Sequence, residues 1–171
     1  MRGCWDHKPP KGRAMSSTTD ADIRLPGTPS PWVNRSMSVL LRLPGIRSVL
    51  GRVFGLITVT GWRSGRRYTT PIQHLAYGGD FIILSQRHRR WWRNLEHEPA
   101  VTLQVGRKTF QGTAGVVEGD EAGAIIGSLL GANPRLAKFY GIEVDPEGEI
   151  DPQALESLLE HMVVLRVCPD W

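Results

Sequence analysis

The sequence lacks most of the motifs that support chemistry by side chains alone. Its two cysteines, Cys4 and Cys168, have no second Cys or His at a spacing that makes a metal site. It contains no glycine-rich phosphate loop, no His-Glu metal helix and no nucleophile elbow. Four of its histidines, His74, His88, His97 and His161, have no carboxylate at a spacing that would indicate a catalytic pair. We therefore predict no catalytic side chain and no metal site, and we expect both cysteines to be free thiols in a reducing cytoplasm.

Long apolar runs are also absent. No run of eighteen or more apolar residues could span a bilayer. The first thirty residues have no apolar core segment of a signal peptide and are rich in Pro, Ser, Thr and charge. We therefore expect a cytoplasmic protein in which residues 1–31 form a disordered tail and residues 32–171 form a single domain.

Charge is divided unevenly along the chain. Residues 31–100 contain eleven Lys and Arg against three Asp and Glu, whereas residues 101–171 contain five against eleven. A local cationic field attracts small anions even when the overall charge is modest. The division favours an anionic ligand bound by the middle of the chain, and two solvated faces are the alternative.

Helical periodicity precedes a series of strands. Apolar residues recur at helical intervals between Trp32 and Phe54, with a break at Pro44-Gly45. Arginines lie among these apolar positions, so this segment could pack on the core or contact an anionic membrane peripherally. Alternating or β-branched runs follow as LITVT, YTTPIQHLAY, DFIILS, AVTLQV and TFQGTAGVV. Pro71 predicts an edge position or a bulge, because proline cannot donate to a ladder.

The last part of the chain predicts helices and one more strand. GDEAGAIIGSLLGAN is typical of a helix, and Asp151-Pro152 predicts the start of a second one over QALESLLEHM. VVLRV is a terminal strand that must return to the sheet. Consecutive hairpins with a few flanking helices predict an α+β domain built on a small barrel of mainly antiparallel strands.

Two basic turns, GWRSGRRY and SQRHRRWWRNL, each begin at a strand end. Serine hydroxyls, backbone donors and guanidinium groups can bind phosphate or carboxylate oxygens, and Trp91 and Trp92 could supply a flat apolar wall. Two other interpretations stay open on residue types alone. In one, the tryptophans are core anchors and the arginines only solubilise the turns. In the other, the surface binds nucleic acid through stacked bases.

The order and spacing of several short motifs resemble the deazaflavin-dependent nitroreductase family. The resemblance covers about residues 33–117 and rests on elements that occur in the family's order. These elements are Thr60-Gly61, Arg63-Ser64-Gly65, Arg67, Pro71, Ser85, Trp91, Asn94-Leu95 and Glu98-Pro99. The resemblance implies a split β-barrel related to flavin-mononucleotide-binding oxidases.

The resemblance also implies a redox function. In such a protein the reduced deazaflavin coenzyme F420 gives a hydride to a quinone, a nitroaromatic compound or a similar acceptor; flavin mononucleotide (FMN) is the alternative cofactor. By position, Arg63, Ser64, Gly65, Arg66 and Arg67 would hold the coenzyme's anionic tail, and Ser85, Gln86, Arg87, Trp91 and Asn94 would border its ring system. Tyr140 would contact the substrate. A non-catalytic flavin-binding module or an FMN-dependent reductase is the alternative function, and a homodimer is a further expectation.

Overall fold

The computed structural model describes residues 54–170 of the chain. The predicted tail over residues 1–31 and the predicted helical segment lie outside these residues, except that Phe54 begins the first strand. The described residues divide into two compact units, one formed by residues 54–116 with 164–170 and the other by residues 117–163.

Six strands close into a barrel in the order β1-β2-β3-β6-β5-β4. They are β1 (Phe54–Thr60), β2 (Arg67–Tyr77), β3 (Asp80–Gln86), β4 (Ala100–Val105), β5 (Lys108–Val117) and β6 (Met162–Pro169). A 3₁₀ helix, Trp91–Glu96, connects β3 to β4. The predicted barrel of antiparallel strands is confirmed, and the predicted terminal strand lies between β3 and β5.

Buried and partly exposed side chains alternate from Ile57 to Thr60 of β1, and this alternation separates the inside of the barrel from its outer surface. Ile57 and Val59 are almost completely buried, whereas Thr58 and Thr60 between and after them are partly exposed. The register continues this separation into β4, where Ile57 is opposite the buried Leu103 and Thr58 is opposite Thr102. The outer surface is therefore polar at Thr58, Thr60 and Thr102, whereas Leu56 on the same side of β1 is buried.

Among residues 54–170, the part of β2 that contains Pro71 pairs with a strand on one side only. It is opposite Leu56 of β1, and the pairing of β2 with β3 begins only at His74. The missing N–H of Pro71 therefore interrupts no ladder to β3. This agrees with the predicted edge position.

Strand β6 seals the barrel. Its Arg166 reaches Asp80 of β3, with 3.7 Å between Nε and Oδ2. On the other side, a Cβ on Gly112 of β5 would collide with the carbonyl oxygen of Cys168, so only glycine permits this close approach of backbones. Cys168 forms a disulfide bond, so the prediction of a free thiol is wrong for this residue; Cys4 lies outside the described residues.

The second unit contains three helices, α1 (Gly119–Gly131), α2 (Pro134–Phe139) and α3 (Pro152–His161). The buried residues of α1 recur with helical spacing and are Ala122, Ile125, Ile126, Leu129 and Leu130. Helix α1 packs on both other helices. Asp151 caps α3 at the start that the sequence predicted, and its carboxylate accepts a hydrogen bond of 3.2 Å from the Gln153 N–H. The short α2 was not predicted.

Within the described part of the chain, no helix is long and apolar enough to cross a membrane.

Candidate functional site

The arginine-rich segment between β1 and β2 is a closed turn. The Gly61 N–H donates to the Arg66 carbonyl at 2.8 Å, and the Gly65 N–H donates back to the Gly61 carbonyl at 2.7 Å. Gly65 has a φ of 62°, a left-handed conformation that favours glycine. Arg63 and Arg66 are both exposed on this turn. The backbone thus fixes the turn while leaving these two cations in solvent.

Ser64 holds the turn together from within. Its Oγ accepts a hydrogen bond from the Arg66 N–H at 3.3 Å and lies 3.2 Å from the hydroxyl of Tyr68. The ring of Tyr68 covers Gly61, where an added Cβ would lie only 2.6 Å from Tyr68 Cε2. The Ser64 hydroxyl therefore has structural partners in addition to its predicted role in binding the coenzyme.

Three side chains stack on the outside of the turn. The Arg63 guanidinium lies 4.7 Å from the centroid of the Trp62 ring, within the range of a cation–π interaction. The Trp62 ring in turn lies 4.3 Å from the ring of His97. Trp62 is nevertheless 46% exposed, so part of its side chain remains accessible next to the cations.

Asn94 links the turn to the 3₁₀ helix. Its Oδ1 accepts a hydrogen bond from the Trp62 N–H at 3.3 Å, and its Nδ2 donates to the Trp91 carbonyl at 2.8 Å. The 3₁₀ helix also contacts β1. The two basic segments that the sequence singled out are therefore connected by one side-chain amide.

The side chain of Arg67 lies apart from those of the other two arginines and contacts β4. It is the first residue of β2 and is opposite Thr60, and its Nη2 donates to Thr102 Oγ1 of β4 at 3.2 Å. Thr102 Oγ1 then donates to Gln111 Oε1 of β5 at 2.9 Å. These side chains line a groove of about 460 Å³ on the outer surface of the barrel, together with Thr58, Thr60, Ala100, Val101, Gly112 and Asp170.

The end of β3 contains buried donors. Ser85 is only 3% exposed, and its Oγ has no hydrogen-bond partner among residues 54–170. The same holds for the buried Nε1 atoms of Trp91 and Trp92. Buried polar groups are normally hydrogen-bonded, so unpartnered donors in this short segment are the kind of groups that a bound ligand satisfies.

The remaining predicted residues of this segment differ in exposure. Gln86 is half-buried at the end of β3, and Arg87 is exposed in the turn that follows. Arg89 is half-buried, and this burial lowers the pKa of its guanidinium below the usual range of arginine. The guanidinium remains charged at neutral pH.

Tyr140 lies in the helical unit and is 3% exposed. Burial raises the pKa of its hydroxyl from 10.0 to about 12. Its ring contacts Phe139 edge-to-face at 5.3 Å, and Phe139 is 53% exposed. A direct contact between Tyr140 and a substrate stays a prediction, and it requires a movement that uncovers the ring.

Several residues of the site were not singled out by sequence reasoning. They are Trp62 and His97 in the stack, Tyr68 over the turn, and Thr102, Gln111 and Asp170 in the groove. Trp62 lies inside the GWRSGRRY motif, so the motif itself contained a signal for it. Thr102 and Gln111 alternate with apolar residues in their strands, which indicates an outer face but not a partner for Arg67.

The solved structures that resemble the chain include the F420-H2 dependent reductase FDR-A, with 22% identity, a TM-score of 0.49 and coverage of 68% of this chain and 94% of that one. They also include the protein Atu2129, of unknown function, from Agrobacterium tumefaciens, with 18% identity, a TM-score of 0.50 and coverage of 84% of this chain and 57% of that one. The similarity to Atu2129 supports the fold alone. No protein of curated function matches the chain significantly. The model of the F420H(2)-dependent quinone reductase family matches residues 42–137, more than half of the sequence, and the chain therefore belongs to this oxidoreductase family.

Proposed function

We propose that the protein transfers a hydride from reduced coenzyme F420 to a quinone, and that nitroaromatic compounds can replace the quinone as acceptors. Family membership gives the coenzyme and the reaction class. The observation that supports this particular site is the Asn94 bridge, which fixes an exposed arginine turn next to the helix that contains Trp91.

The arginine turn fits the anionic tail of the coenzyme. Arg63 and Arg66 are exposed, and neither forms an ion pair with another described residue. Guanidinium groups donate strong, often bidentate bonds to phosphate and carboxylate oxygens. Ser64 and the backbone of Gly65 complete the proposed tail site.

The end of β3 fits the polar edge of a deazaflavin ring. Ser85 Oγ and Trp91 Nε1 are buried donors that have no hydrogen-bond partner in the described part of the chain. Because these donors are buried, contact with the ring requires a local movement that uncovers them. Carbonyl groups on the ring edge are acceptors that would then satisfy the donors, and Gln86, Arg87 and Asn94 complete the proposed border of the ring. A buried donor without a partner costs about 1–3 kcal/mol, so satisfying it contributes to binding.

The bound coenzyme supplies the hydride chemistry. The residues of the proposed site would bind the tail and fix the orientation of the ring for transfer to the acceptor. Among the described residues we assign no acid or base to the reaction. Positioning donor and acceptor carbons within about 3–3.5 Å is enough to lower the barrier by several kcal/mol.

Further parts of the proposal concern the location of the protein, its oligomeric state and its other contacts. They are a cytoplasmic location, a homodimer, substrate contact at Tyr140 and a peripheral membrane contact of the segment before residue 54. A nucleic-acid partner is not part of the proposal. FMN as cofactor is the alternative that the experiments below distinguish.

Anaerobic turnover tests the proposal. Purified protein is mixed with reduced F420 and menadione, and reoxidation of the coenzyme is followed by its absorbance. We expect reoxidation that depends on both protein and quinone. Binding of the coenzyme without reoxidation by menadione or a nitroaromatic compound would instead indicate a non-catalytic module for storage or sensing.

A further inference from the structure

We propose that Arg89 gives the site a preference for the reduced form of the coenzyme, because its positive charge lies at the polar edge of the bound ring. This inference rests on the proposed function. It adds Arg89 to the proposed border of the ring, next to Ser85 and Trp91. It also assigns to this residue the discrimination between two oxidation states of one ligand.

Arg89 lies on the short connection between the two buried donors of the ring border. Strand β3 ends at Gln86, directly after Ser85, and the Arg89 N–H donates to the Gln86 carbonyl at 3.0 Å. This bond closes a tight turn, and the 3₁₀ helix begins soon after it, at Trp91. The backbone therefore keeps Arg89 in the segment that contains the unpartnered donors Ser85 Oγ and Trp91 Nε1.

The Arg89 side chain is a half-buried cation without a counter-charge. It forms no ion pair and no side-chain hydrogen bond with any other residue of the described range 54–170. Burial lowers the pKa of its guanidinium, because water solvates the charge incompletely. An unpaired charge that has lost part of its water costs free energy, and a negatively charged ligand group would offset this cost.

The neighbouring arginines have a different environment. Arg87 and Arg90 are exposed. Arg93 is also exposed, and its guanidinium lies 5.4 Å from the centroid of the Trp92 ring, within the range of a cation–π interaction. Water and salt screen such solvated charges, so they act weakly on a ligand. Among the arginines of this segment, Arg89 therefore combines partial burial with the lack of a partner.

The ligand group that suits this position is a ring edge whose negative charge depends on oxidation state. Two-electron reduction of a deazaflavin concentrates negative charge at the N1–C2 carbonyl edge, and a cation beside that edge favours the reduced ring. The hydroxyl of Ser85 and the indole N–H of Trp91 are neutral donors, which suit carbonyl oxygens in either state. Arg89 is therefore the residue of this border that can distinguish the two states by charge.

Titration of the full-length protein with each oxidation state of F420 tests the inference. Binding of oxidised F420 is followed by its fluorescence, and binding of reduced F420 is followed anaerobically by quenching of tryptophan fluorescence. In Arg89→Gln we expect the affinity for reduced F420 to fall about ten-fold more than the affinity for oxidised F420. This difference corresponds to a fall of about 30 mV in the midpoint potential of the bound two-electron couple, which is a second measurement.

Two further variants are the controls. Arg89→Lys keeps the charge and should retain most of the preference for reduced F420. Arg90→Gln removes the exposed charge next to Arg89 and should leave the preference unchanged. Urea unfolding without coenzyme checks the fold of each variant. Removal of an unpaired, half-buried charge in Arg89→Gln should leave the free energy of unfolding unchanged or raise it.

The outcomes separate this inference from the proposed function. A native protein that binds both forms of F420 equally, or equal losses for both forms in Arg89→Gln, would overturn this inference alone. The same holds if Arg90→Gln loses as much of the preference, or if Arg89→Gln is markedly destabilised, which would show a structural role. Failure of the native protein to bind either form would overturn the proposed function as well.

Discussion

Asn94 accepts a hydrogen bond from the Trp62 N–H across 32 positions of sequence and, with the same amide, donates to the Trp91 carbonyl. One side chain thus fixes the distance between the arginine turn and the 3₁₀ helix. The resemblance to the nitroreductase family predicted Asn94 as a contact of the coenzyme ring. Its observed partners indicate a positioning role in addition to that prediction.

Asn94→Ala should therefore affect both stability and binding. Loss of two hydrogen bonds should lower the free energy of unfolding by about 1–2 kcal/mol. Asn94→Asp keeps an acceptor for the Trp62 N–H but loses the donor to Trp91, so it should fall between Ala and the native protein. Urea unfolding and F420 titration measure the two effects, and an Ala variant with native coenzyme affinity would contradict the positioning role.

Removal of the exposed turn cations should weaken binding of F420. We expect Arg63→Ala with Arg66→Ala to reduce affinity by about 2–4 kcal/mol in total, since each guanidinium donates charge-assisted bonds. The matched control is Arg107→Ala with Lys108→Ala, which removes two exposed cations at the β4–β5 turn. Equal losses in both double variants would mean that general charge, not the arginine turn, attracts the coenzyme.

Ser85→Ala should change the free energy of unfolding and the affinity for F420 in different ways. The hydroxyl is buried without a partner in the described structure, so its removal should leave the free energy of unfolding unchanged or raise it by about 1 kcal/mol. Affinity for F420 should fall, because the ring loses a donor. Thermal unfolding in the absence of coenzyme and fluorescence titration give the two values. Marked destabilisation would show that Ser85 is a structural residue.

Tyr140 should make the free energy of unfolding fall as pH rises through the alkaline range. Burial raises its folded-state pKa to about 12, above the unfolded value of 10.0. The unfolded state therefore loses its proton first as pH rises, and stability present below pH 10 is lost progressively up to about pH 12. The loss should be about 2–3 kcal/mol. Tyr140→Phe should show a smaller loss in urea unfolding across this range, and equal losses would contradict the assignment.

The strands and the barrel were predictable because their signals are local. Alternating burial along β1, and the cap at Asp151, follow from neighbouring residues in sequence. Helix α2 was missed because it has six residues and buries only Ala137, too few for a periodic pattern. The disulfide at Cys168 was missed because the position of a cysteine in the sequence gives no information on which thiol lies near it in the fold.

The sequence singled out the residues of the proposed site but did not reveal their geometry. Arg66 and Arg67 are adjacent in sequence, yet Arg67 is the first residue of β2 and bonds across the sheet to Thr102. That partner depends on the pairing of β1 with both β2 and β4, which no local pattern reveals. The bridge from Trp62 to Asn94 is likewise a long-range contact.

The central claim is that the arginine turn binds the anionic tail of F420. Side-by-side titrations of the native protein with F420 and FMN, each at low and high salt, test this claim most directly. We predict saturable binding of F420 that weakens as salt screens the guanidinium groups, and clearly weaker binding of FMN. An F420 affinity that is absent, or that is the same in the native protein and in the variant lacking Arg63 and Arg66, would contradict the claim.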